Sequence, residues 1–114
     1  MDIEVNEYVR TIEGKIGKII KYENFEYHIK IDKDEVWKCS EDFIVKHSKQ
    51  LIDLIKVGDI VRIRTGLYSS FMEFIDNEEC LLILKEQVKK FWTIEEILTK
   101  EQMEANCYKV GGEK

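Results

Sequence analysis

The side chains best suited to nucleophilic or soft-metal chemistry in this chain of 114 residues are its two histidines, His28 and His47, and its three cysteines, Cys39, Cys80 and Cys107. Cys39 and His47 would make a nucleophilic or metal site if the fold brought them to a carboxylate. The spacing argues for something plainer. No Cys-x-x-Cys pair exists, so zinc-knuckle and thioredoxin-like arrangements have no basis. Widely separated thiols read as reduced, partly buried small hydrophobes. His28 falls on the polar phase of an alternating stretch and is expected in water. His47 is expected to pack or to make a local hydrogen bond. Asp32-Lys-Asp-Glu35 sets three carboxylates in four residues, without the length or the glycine of a calcium loop, and reads as a solvated turn. Phosphate-cradling glycine loops, the nucleophile elbow and the His-Glu-x-x-His pattern are all missing. No catalytic, cofactor-binding or metal residue is assigned, and an enzyme is not the expectation.

Charge and aromatic residues point instead to surfaces. The formal net charge is −5, with acids and bases interleaved. That balance argues against a broad nucleic-acid binder, which needs clustered Lys and Arg to displace counterions. A local patch remains open: Arg62, Arg64 and Tyr68 share one neighbourhood, while Lys85, Lys89 and Lys90 lead to Phe91 and Trp92. Small barrels bind single strands by stacking bases on aromatics in a basic groove. The other candidate surface is acidic: Glu26, Asp32, Asp34 and Glu35 around one hairpin, with Trp37 after it. Trp and Tyr are enriched at interface hot spots, and Trp37 fits an edge position.

Strands must position these residues. The segment 8–11 is short and β-rich, and 15–22 is a second strand whose phase shift between Ile19 and Ile20 suggests a bulge, to which Gly17 is suited. Glu23-Asn24 reads as the hairpin turn. From Phe25 to Asp32, apolar Phe25, Tyr27, Ile29 and Ile31 alternate with polar residues, which predicts one face in the core. Strands are expected over 36–39 and 42–46. Ser48 is a candidate N-cap for a short helix over 49–55, and Gly58 turns the chain into a strand over 60–64. The segments 67–75 and 80–84 read as one hairpin, with Leu81–Leu84 buried on both faces. The 92–98 segment suits strand or helix. Thr99-Lys-Glu-Gln102 fits a capping box opening a helix to about Asn106, followed by a strand over 108–110. The predicted fold is mostly β with minor α: a small SH3-like or related β-barrel with two short helices, one domain over 1–110 and a flexible tail at 111–114.

Five segments occur in a recognisable order: Tyr8-Val-Arg-Thr11, Phe43-Ile-Val-Lys-His-Ser48, Leu51-Ile-Asp-Leu-Ile55, Val57-Gly-Asp-Ile-Val61 and Leu98-Thr-Lys-Glu-Gln102. With them the sequence resembles a group of small uncharacterised proteins of bacteriophages and prophages of Firmicutes, clostridia included. The resemblance spans nearly the whole chain. It implies a phage or prophage origin and a compact β-rich domain, and carries over no catalytic residue. The expected function is a protein–protein interaction module acting without cofactor on a host or phage protein. One version inhibits a host enzyme or defence system through nucleic-acid mimicry by the acidic residues. The alternative is a nucleic-acid-binding barrel using the basic-aromatic patch. An exposed strand edge could pair two copies. No apolar run approaches the roughly 20 residues of a membrane span, and the acidic N-terminus lacks a signal-peptide core, so the bacterial cytoplasm is the expected location.

Overall fold

The computed structural model describes residues 2–66 and 69–106. Among these residues eight strands form two antiparallel sheets. The first contains β1 (Tyr8–Thr11), β2 (Ile16–Glu23), β3 (Glu26–Asp32), β4 (Glu35–Cys39) and β5 (Ile44–Ser48), in the order β4-β3-β2-β1-β5. The second contains β6 (Ile60–Arg64), β7 (Ser70–Phe74) and β8 (Thr93–Leu98), in the order β7-β6-β8. Helix α1 spans Glu78–Lys90 and α2 spans Lys100–Asn106; 3-10 turns occupy Glu41–Phe43 and Leu51–Leu54. The mostly-β expectation holds, whereas the closed barrel does not form.

The reason lies in residues 78–90. The segment read as a buried strand, Cys80 to Leu84, is helical. Asn77 caps it by accepting a hydrogen bond from the Cys80 amide at 2.9 Å, Glu78 and Glu79 sit in the first turn, and Lys89 and Lys90 in the last. Those charges complement the helix dipole. Leu81, Leu84 and Val88 face the core at helical spacing, while Leu82 and Ile83 are exposed. A helix covering the second sheet replaces the strand that a barrel would need.

Each sheet has its own core. Val9, Ile19, Tyr27, Ile29, Cys39 and Ile44 pack on one face of the first sheet. Val61 and Ile63 of the second sheet meet Ile52, Ile55 and Ile75, with Leu81 and Leu84 of α1 closing the layer.

Local departures from the predicted pattern have local causes. The β2–β3 hairpin pairs Glu23 with Glu26, so its loop is Asn24-Phe25, both at positive φ, +54° and +64°. Two such residues give the type I′ twist that suits a two-residue hairpin. Phe25 therefore leaves the alternating face and is 83% exposed instead of core. The bulge falls at Ile20, as the register shift between Ile19 and Lys21 requires. Gly17 serves close packing instead, since a Cβ there would stand 2.6 Å from Ile29 Cγ2 and from the Lys30 carbonyl oxygen. His28 is buried rather than solvated, 8% exposed, because β3 is an interior strand and Lys21 and Lys38 flank the ring from both sides. Ser48 ends β5 and caps no α-helix; its hydroxyl donates to Asp53 and accepts from the Gln50 amide, and the turn that follows is 3-10. The ambiguous 92–98 segment resolves as β8, and the capping box forms: Thr99 N–H donates to Gln102 Oε1 at 3.1 Å, and Gln102 N–H to Thr99 Oγ1 at 3.3 Å. The strand expected over 108–110 and the tail at 111–114 lie outside the described residues.

Candidate interaction surface

The two sheets meet at one buried guanidinium. Arg10 on β1 is 1% exposed and donates through every N–H it has. Nη1 reaches the Leu54 carbonyl at 2.9 Å and Asp59 Oδ2 at 2.6 Å; Nη2 reaches Asp59 Oδ1 at 2.8 Å and Glu101 Oε1 at 2.5 Å; Nε reaches Glu101 Oε2 at 3.2 Å. Asp59, fully buried, also accepts the amides of Lys56 and Lys100, so it caps α2 while it neutralises Arg10. Burial pushes the Glu101 carboxyl up, but hydrogen bonds from Arg10, a backbone amide and Lys56 outweigh it and hold the group down at about 2. Beside this joint Thr99 Oγ1 donates to the Gly14 carbonyl. Gly14 has φ +84°, and a Cβ on it would lie 2.2 Å from that hydroxyl. Four of the five segments behind the resemblance put a group into the joint: β1, the Leu51–Leu54 turn, the Gly58-Asp59 turn and the start of α2. The fifth, β5, pairs with β1, and its His47 Nδ1 lies 2.8 Å from Glu7 Oε1. That hydrogen bond, with one from the Glu4 amide, lowers the Glu7 carboxyl below its ordinary range. Among the described residues no buried side-chain polar atom lacks a partner, so the joint is saturated and presents nothing to a ligand.

The residues picked out from sequence are spread more widely than their spacing suggested. Asp32, Asp34 and Glu35 gather at the β3–β4 turn, but Glu26 stands at the opposite end of β3, about 20 Å away at strand rise. Trp37 is on edge strand β4 yet half-buried against the first core, with Lys15 Nζ 4.5 Å above its ring. Arg62 and Arg64 point away from Val61 and Ile63 and are held across the β6–β8 ladder, Arg62 by Glu96 at 2.7 Å and Arg64 by Glu95. Lys85, Lys89 and Lys90 belong to α1, which packs on the other face of that sheet. Tyr68 lies outside the described residues. Cys39 is in the core on β4, where burial pushes its thiol up, and β5 with His47 is the opposite outer strand. Among the described residues no group of three or more His, Cys, Asp or Glu is placed to hold a metal ion.

A contiguous apolar surface does exist, on residues that the sequence had not singled out. β7 pairs with β6 in unbroken register and has nothing on its other side among the described residues. Phe71, Met72 and Phe74 are 39, 57 and 53% exposed. Phe71 leans toward α1, edge-on to Trp92 at 5.4 Å. Met72 and Phe74 share the outer face with Ile60, Arg62 and Leu98, which border a shallow groove of about 280 Å³. The available signal was apolar residues on both phases of Ser70-Phe-Met-Glu-Phe74: a strand with one solvated face shows them on one phase only.

Among the described residues no helix is long and apolar enough to cross a membrane. Set against protein-family models, curated proteins and solved structures, the chain matches none of them.

Proposed function

We propose that this chain is a small protein–protein interaction module, acting without a cofactor, and that it engages its partner along β7. One observation carries the reading: a regular, unbulged edge strand whose Phe71, Met72 and Phe74 remain exposed on both of its faces. Natural proteins blunt open edges with charge, proline or a bulge, because free N–H and C=O groups recruit further strands. β7 has only Glu73 as a charge, and strand addition to such an edge is a common mode of peptide recognition. The resemblance to phage and prophage proteins supplies the setting, a bacterial cytoplasm with a host or phage protein as partner, and inhibition of a host enzyme or defence system as the concrete version. Nucleic-acid mimicry has weaker support than the edge, since Glu26 stands apart from the other three acids.

The test pairs the wild-type protein with Met72→Asp/Phe74→Asp in nuclease-treated bacterial lysate. Both side chains are exposed, so the double variant is expected to fold with a melting temperature close to wild type. A protein partner held by wild type and lost from the variant is the expected result. The same partners on both proteins would sink the edge reading, and a wild-type dimer that the substitutions dissociate would identify the partner as a second copy.

A further inference from the structure

The first sheet has a feature unrelated to the β7 edge. Its register sets Lys18 directly opposite Lys30, with Tyr8 across from Lys18 on the other side. The next row places Lys21, His28 and Lys38 side by side. Alternation turns these residues away from Val9, Ile19 and Ile29, so both rows share the outer face, about 6–7 Å apart along the strands. Like charges directly opposite one another weaken a ladder. Here they persist: Lys18, Lys30 and Lys38 are exposed with no carboxylate within 4 Å among the described residues, and Lys21 has only the exposed Glu23 at 3.5 Å. A chain of net charge −5 thus concentrates four ammonium groups on three strands. The pairs Glu23/Glu26 and Asp32/Glu35 close the band at its two ends.

Beside the band a cleft of about 480 Å³ opens between the sheets, walled by Tyr8, Lys18 and Lys30 on one side and by Ile94 and Ile97 of β8 on the other. Its size is that of a small-molecule site. Of the three carboxylates that line it, Glu95 and Glu96 are paired with Arg64 and Arg62, and Asp32 accepts the Lys33 amide.

We propose that this face binds single-stranded nucleic acid, with phosphates along Lys18, Lys21, Lys30 and Lys38 and one base lodged in the cleft beside Tyr8. An ammonium band beside an aromatic ring, here Tyr8 with Lys18 Nζ 5.5 Å from its centre, is the arrangement by which sheets take single strands without reading sequence. The acidic pairs limit contact to a few phosphates and repel a duplex, whose second strand would lie over them.

Fluorescein-labelled 20-mers of thymidylate and uridylate, titrated with the full chain between 50 and 200 mM salt, test this by anisotropy. Three to four neutralised phosphates give a slope of about −2 to −3 in log K against log salt, a roughly 15- to 60-fold loss over that range. Lys18→Ala/Lys30→Ala removes about 1.4 from the slope and leaves the melting temperature equal or higher, because a repulsive pair is gone. Lys89→Ala/Lys90→Ala on α1 changes net charge equally and leaves the slope unchanged. No binding at 50 mM salt overturns the proposal, as does an equal effect of the two double variants. A polyglutamate peptide that binds while the oligonucleotides do not would also overturn it, assigning the band to acidic proteins.

Discussion

Arg10 illustrates how one residue can organise a molecule without advertising itself. In sequence it is the third residue of an ordinary β-rich tetrad, and its partners lie 44, 49 and 91 positions away. No periodicity or local spacing connects it to them, so it was not legible, although the segments that hold its partners were already marked by the resemblance. A buried ion pair is not stabilising by default, but removing one partner leaves the other charge stranded. Arg10→Met is therefore expected to cost about 3–5 kcal/mol, read as a lower urea midpoint. Glu101 adds a pH dependence of definite sign. Its folded carboxyl titrates at about 2 against an ordinary 4.5, so the stability it contributes is complete above the unfolded value and lost as pH falls from about 4.5 toward 2. With its partial exposure allowed for, the contribution is about 2–3 kcal/mol. Glu101→Gln should lower the melting temperature at pH 7 and flatten its fall between pH 4.5 and 2; parallel wild-type and variant curves would contradict this assignment.

At the scale of elements, what was legible was local. The Thr99-Gln102 capping box needs only residues three apart, and both of its hydrogen bonds form. Tyr27, Ile29 and Ile31 alternate as read, because a period of two is visible within one strand. Phe25 broke the pattern since hairpin register, a property of two strands, decides where the turn begins. Leu81 to Leu84 could not be assigned by periodicity, being apolar throughout; the Asn77 cap and the charge order of Glu78, Glu79, Lys89 and Lys90 were the signals that distinguish helix from strand. The strained turn also makes a prediction. A left-handed backbone costs a non-glycine residue roughly 1–2 kcal/mol, part of which glycine's extra freedom in the unfolded chain offsets. Phe25→Gly should thus stabilise the protein by about 0.5–1 kcal/mol, visible as a higher melting temperature; a lower one would mean that the exposed ring makes contacts worth more than the strain.

Across the whole molecule, strand content was readable and closure was not. Counting strands cannot say whether they join into one sheet, and a single helix in place of a strand left two sheets whose outer strands, among the described residues, are β4, β5, β7 and β8. One proposed surface lies on the β7 edge, the other on the outer face of the first sheet beside the inter-sheet cleft. The joint that holds the sheets together has a further consequence, in time rather than space. The five strands of the first sheet are complete once Ser48 has been synthesised, yet β1 then carries a cation whose carboxylate partners do not exist. Asp59 arrives next and Glu101 only with α2. A nascent chain therefore carries Arg10 without a carboxylate until Asp59 is made, and without its full set of partners until Glu101 follows, so the emergence of α2 is the event that completes the joint between the two sheets.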